Sequence, residues 1–298
     1  MTGLWNTTRR NLRLFFKDKG MFFSSLITPL ILLVLYATFL AKIYRDSFAS
    51  ALPEGVLVPE ELLNGTVACQ LVSSLLAVCC VTVSFCANLL MISDRANKTI
   101  QDFTVSPVKH ATLAAGYYVA SAVSTLMITF TALAVCLGYI AAIQGWYLSV
   151  TDVLFVIGDV LFRTLFGTAL SSCVNFFLTT NGQASAVGTI VSAGYGFLCG
   201  AYMPISNFSE GLRNILMFLP GTYGTSLIRN HMLRGVFAEM EALGFPSDVM
   251  TGIRDSIDCN LYIDGHAVSL GSMAAVLVGS VVLFTGLFIL MNILKKKR

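Results

Sequence analysis

Six apolar stretches, each long enough to cross a bilayer, leave this chain one class of fold. They run Met21–Lys42, Val67–Ser93, Leu113–Ile143, Val153–Leu178, Ala184–Pro204 and Val268–Leu294. A hydrocarbon core of ~30 Å takes about 20 helical residues to span. With 56% hydrophobic and only 12% charged residues, the chain is far from a soluble domain, where about 25% are charged. The expected fold is an all-α membrane protein: one transmembrane domain over residues 1–298, with six transmembrane helices.

Charge placement orients it. Arg9, Arg10, Arg13, Lys17 and Lys19 precede the first span, Arg95, Lys98 and Lys109 follow the second, and Lys295-Lys296-Lys297-Arg298 ends the chain. Six spans put all three clusters on one side. Acids such as Asp46, Glu54, Glu60, Glu61, Glu239, Asp248 and Asp264 collect on the other. The basic side is cytoplasmic, so a multi-pass protein of the cell membrane with both termini inside is expected. The net charge of +3 is too small to suggest nucleic acid as a partner. The first apolar run exceeds a signal-peptide core of about 7–15 residues, so it is read as retained. Seven cysteines lie in spans as small apolar residues; Cys259 alone falls in an outside loop.

Residues 4–17 plot as an amphipathic helix at ~100° per residue. Leu4, Trp5, Thr8, Leu12, Phe15 and Phe16 share one face, and Asn6, Arg9, Arg10, Arg13 and Lys17 the opposite one. The interfacial segment is assigned to residues 4–20, lying in the membrane surface against lipid. It serves either as a topology anchor or as an elbow bracing a cytoplasmic partner. The loop at 43–66 reads as irregular, and 179–183 is so short that its flanking helices are antiparallel neighbours. Residues 205–267 form the one sizeable extracellular segment, read as soluble.

Ionisable and polar residues inside the spans mark candidate sites. Asp159 and Arg163 are spaced i, i+4 on the fourth span, in the favourable acid-first order. Such charges usually face protein or water. They form either an internal ion pair or a polar spot on a substrate path or subunit interface. Gln70, Ser73 and Ser74 share a face of the second span, to bond another helix or to line a cavity. There is no G-x-x-x-x-G-K-[ST] phosphate loop, so no ATP hydrolysis by that route. No zinc spacing occurs, and His110, His231 and His266 lie far apart, so no metal is expected. An intramembrane hydrolase would need a nucleophile pair or metal motif that is not seen.

The second-to-third loop, Asp94–Pro107, reads as a short polar helix stopped by Pro107, with Ile100 and Phe103 one turn apart. Its Asp94-Arg95, Thr99, Phe103 and Ser106-Pro107 resemble the coupling loop of type-2 ABC exporter permeases. Lys98 stands where glycine is common in that family. Two further stretches add to the resemblance: Gly200-Ala201-Tyr202-Met203-Pro204, like the family's exit from the fifth helix, and Phe218-Leu219-Pro220-Gly221-Thr222-Tyr223, like the step between short re-entrant or interfacial helices before the last span. In the fifth helix Gly196 and Gly200 offer a small-xxx-small face, for helix packing or a dimer contact. The resemblance implies a cytoplasmic coupling loop at 94–110, with Asp94, Arg95, Thr99, Phe103 and Pro107 meeting an ABC ATPase subunit. It implies an outer gate at Gly200, Pro204, Pro220 and Tyr223, and a second permease chain, identical or related. ATP and magnesium would bind the partner, and no cofactor this chain. The near absence of charge in the spans favours an apolar or amphiphilic cargo: a drug, lipid or lipopeptide. A polysaccharide-exporting permease of the same superfamily and an ATP-independent transporter or channel are the alternatives.

Overall fold

The computed structural model describes residues 2–42, 45, 48, 58–100, 110–143, 145–263 and 265–295. In order come α1 (Thr2–Lys17), α2 (Lys19–Leu35) running into a π-turn (Tyr36–Leu40), α3 (Glu60–Ala87), α4 (Leu89–Ala96), α5 (His110–Ala142), α6 (Val150–Asn175) and α7 (Asn181–Leu198). A 3-10 turn (Ile205–Asn207) leads to α8 (Glu210–Leu216), α9 (Pro220–Ala242), α10 (Ser247–Ser256), the strands β1 (Tyr262–Ile263) and β2 (His266–Ala267), and α11 (Leu270–Lys295). The protein is a multi-pass, all-α membrane protein, as its sequence led us to expect.

Among the described residues, four helices are long and apolar enough to cross a bilayer: Glu60–Ala96, Ala111–Ala142, Val150–Asn175 and Leu270–Leu294. The pair α1 and α2, bent by 76°, makes a fifth if taken together. At the bend, Asp18 caps α2 by accepting from the Met21 N–H at 3.1 Å. Helix α7 holds the place of the expected fifth span, but it has only 18 residues and Asn181, Gln183 and Ser185 dilute its apolar character. Length and composition alone therefore do not reach six.

Helix α3 is the axis of the bundle. It is apolar on every side and buried along almost its whole length, as a helix without a polar face must be. Helices α2, α5, α6, α7 and α9 all pack on it. Its hydroxyls cause no unmet demand, because Thr66, Thr82 and Ser84 each donate to a carbonyl four residues back. At Asn88 the helix breaks and continues as α4; the Asn88 amide bonds Ser171 and Ser172 of α6.

Two expectations are corrected. The first concerns α1, whose buried face shares only Thr8 and Phe15 with the expected apolar one. Thr7, Thr8, Asn11 and Phe15 are buried, while Trp5 and Phe16 are exposed. The second concerns residues 205–267, which do not stand apart from the bundle. Helix α9 runs 23 residues and packs on α3, α6 and α11. Within it Arg229, His231 and Arg234 meet Asp258, Asp159 and Asp152, although Arg234 stays half exposed. Pro220 makes no turn; it occupies the first position of α9, where its missing N–H costs nothing.

Cys259 shows how deep this segment sits. It is buried, and burial pushes its thiol up to about 12. Reactivity follows the thiolate, so peptide mapping after maleimide treatment should find Cys259 unmodified in the folded protein and modified after unfolding. A Phe218→Cys variant, at a fully exposed position, should label at once. Equal labelling of the two in the folded protein would contradict the burial.

Candidate functional site

Among the described residues, three clusters built around buried charges stand out in the apolar bundle. The first lies where α4 meets α1 and α5. Asp94 is buried there and accepts from both terminal nitrogens of Arg10, at 2.7 and 3.2 Å. Tyr117 of α5 donates to the same carboxylate. Arg95 turns the other way. Its Nη1 reaches the carbonyls of Asn175, Phe176 and Leu178 at 2.9–3.1 Å, capping the C-terminus of α6 with a cation, where the helix dipole favours one. Asp94 and Arg95 thus fasten the start of the 94–110 loop to α1, α5 and α6 and do not point outward. Lys98 adopts φ 60, a left-handed backbone that glycine takes at no steric cost. Thr99 follows it; Phe103 and Pro107 lie outside the described residues.

The second cluster joins α6 to α9. The expected Asp159–Arg163 pair is not made. Asp159 instead meets His231 Nδ1 at 2.6 Å, and that ring stacks on Phe155 with centroids 4.8 Å apart. Arg163 is fully buried. It donates to the Ala77 carbonyl of α3 at 3.3 Å, to Thr225 Oγ1 at 3.0 Å, to Tyr195 OH at 3.3 Å and to the Gly221 carbonyl. A guanidinium carries five donors, and two carboxylate oxygens on its own helix could not satisfy them in so dry a place. The start of α9 can. Nearer the start of α6, Asp152 and Arg234 pair at 3.4 Å.

The third cluster ties the exit of α7 to α3 and α9. Arg229 donates to Gly200 O at 2.9 Å, Ser74 Oγ at 3.1 Å and the Ile257 carbonyl, and stands 3.6 Å from Asp258. Asp258 accepts the N–H groups of Ile205 at 2.6 Å and Ser206 at 3.3 Å. Burial raises its carboxyl above the usual range, while Arg229 and these N–H groups pull it down. Gly200 has φ +70, and a side chain there would meet Ile205 and Asp258; one at Gly196 would collide with the Tyr202 ring. Both glycines thus receive residues of their own chain.

Beside this cluster lies an apolar cavity of about 540 Å³, lined by Thr66, Gln70, Tyr202, Pro204, Asn207 and Ile253 among others. Gln70 is buried, and its Oε1 has no hydrogen-bond partner among the described residues. The expected polar face of α3 therefore divides. Gln70 serves the cavity, Ser74 serves Arg229, and Ser73 bonds the Gln70 carbonyl. Of the expected outer-gate residues, Gly200 and Pro204 lie here. Tyr223 belongs to the α9–α11 packing and donates to Met217 O at 2.7 Å, three residues after Pro220.

A family model for ABC-2 type transporters matches residues 2–233. The chain belongs to the ABC-2 type transporter family. No curated protein matches it. As an ABC-2 permease it is a membrane transport subunit of a kind that normally works with an ATPase. The residues that sequence reading missed are Arg10, Tyr117, Arg229, His231 and Asp258. Arg10 was placed among the lipid-facing cations, and only long-range pairing reveals the others.

The exchange of partners in the second cluster can be measured. A double-mutant cycle of Asp159→Asn with His231→Ala should give a coupling of about 1–2 kcal/mol in thermal unfolding. The cycle of Asp159→Asn with Arg163→Gln should give clearly less. The reverse order would restore the intrahelical pair.

Proposed function

We propose that this chain is the permease subunit of an ABC exporter, moving an apolar or amphiphilic substrate outward with energy from a separate ATPase chain. Two permease chains and two ATPases make the working unit. Helix α7 supplies the remaining crossing, since 18 residues at ~1.5 Å each give roughly 27 Å. The basic ends then face the cytoplasm.

The observation that carries the mechanism is the fastening of Asp94 and Arg95. In this reading the ATPase grips the loop after Thr99, through Phe103 and up to Pro107. The displacement does not dissipate in the loop, because its root is tied to α1 through Arg10, to α5 through Tyr117 and to the end of α6 through Arg95. Closure of the ATPase dimer on ATP is passed to those helices together. Nucleotide drives the change only to the extent that it binds one state better than the other. The Gln70 cavity supports an apolar cargo that offers one hydrogen-bond donor.

Co-expression with a candidate ATPase tests the reading. Phe103→Ala should weaken co-purification by about 2 kcal/mol, or roughly 30-fold, if Phe103 anchors the contact. Asp94→Asn should leave the ATPase bound but lower substrate-stimulated ATP turnover. Unchanged co-purification and turnover in both variants would sink the coupling assignment.

A further inference from the structure

At the Glu60 end of the bundle, α2 and α5 both pack on α3 but touch each other over only a short stretch. The gap between them holds a cavity of about 490 Å³, separate from the one at Gln70. Its inner wall is apolar: Val67 and Ala68 of α3, both buried, and Ile143 just past α5. Two cations, Lys42 and Arg45, stand at its edge with Asn64. They sit just beyond the π-turn, where Ala41 N–H bonds Tyr36 O. Such turns widen a helix locally and recur at functional sites.

Arg45 reaches Glu60 at 2.5 Å and Asn64 Oδ1 at 3.4 Å. Glu60 is 70% exposed, so this pair is screened by water and easily exchanged. Lys42 has no anion within ion-pair distance among the described residues. The result is an amphiphilic recess at the Glu60 end of the bundle: two positive heads beside an apolar patch, with Thr38 and Tyr139 also lining it and one exposed carboxylate competing for Arg45. Long cationic side chains that snorkel to the interface and meet phosphate are a physical fit for lipid.

We propose that this recess binds an anionic amphiphile. Its phosphate or carboxylate head would lie between Lys42 and Arg45, and its acyl chain against Val67, Ala68 and Ile143. A phosphate head would displace Glu60 from Arg45 because Lys42 beside it adds a second cation, whereas the exposed Glu60 carboxylate meets Arg45 alone among the described residues. Glu60 is then a competitor and not a structural tether, and this fixes the sign of its effect.

Native mass spectrometry of the full chain in detergent, titrated with phosphatidylglycerol or phosphatidylcholine, tests this. Phosphatidylglycerol should bind about tenfold more tightly. Lys42→Gln, an exposed change that spares folding, should reduce that preference about fivefold. Lys42→Gln with Arg45→Gln should abolish it. Glu60→Gln should strengthen phosphatidylglycerol binding. Competition by millimolar inorganic phosphate would identify the head group alone as the ligand; binding that withstands phosphate would identify the whole lipid. Equal affinity for the two lipids in the parent protein, or weaker phosphatidylglycerol binding in Glu60→Gln, would overturn the proposal.

Discussion

Everything else in this bundle depends on α3 being covered on all sides. A helix with no polar face has to be surrounded, and α2, α5, α6, α7 and α9 do the surrounding. Its composition makes that feasible. Ala68, Ser73, Ser74, Ala77 and Ser84 are small, so neighbouring backbones approach closely, and tight van der Waals contact is the main source of helix association in lipid. Hydroxyls that bond their own backbone add polar atoms without leaving them unmet. Lipid tails are as apolar as leucine, so packing this dense is needed to hold helices together at all.

Packing alone does not fix one helix against another along its axis. The three arginine-centred clusters supply that registration. Arg10 and Arg95 act at the root of the 94–110 loop, Arg163 at mid-bundle and Arg229 at the exit of α7. Each arginine reaches across to other helices, and Arg95, Arg163 and Arg229 each donate to at least one backbone carbonyl. Burying such charges is costly, and breaking one partnership strands the other. The bundle is therefore tied tightly where α6, α9 and α3 meet. It is more loosely closed between α2 and α5, where the cationic recess opens.

The helices were legible because the apolar runs are long and the charge clusters unambiguous. The family was legible too, from the order of Asp94-Arg95, Gly200–Pro204 and Leu219-Pro220 along the chain. What could not be read was pairing at a distance. Spacing on one helix made Asp159 and Arg163 natural partners, but competition from α9 decided otherwise. The packing of α9 was not legible either, because the partners of Arg229 and His231, Ser74 and Asp159, lie 155 and 72 residues away in the chain. The face of α1 was misjudged for a related reason. Small hydroxyl residues pack well against a neighbouring helix, and Trp5 and Phe16 are equally content in the interface.

The dependence of Arg163 on α9 has a consequence for how the protein is made. Its acceptor at Gly221 is synthesised 58 residues later. At about 5–20 residues per second, that is a delay of roughly 3–12 s. During that time α6 carries a charged side chain whose main acceptors have not yet left the ribosome. Ala77 of α3 is already synthesised by then and offers one carbonyl, an acceptor within reach of Arg163 before α9 exists. The partners of Arg163 thus become available in the order of the chain: Ala77 first, Tyr195 next, and Gly221 and Thr225 of α9 last.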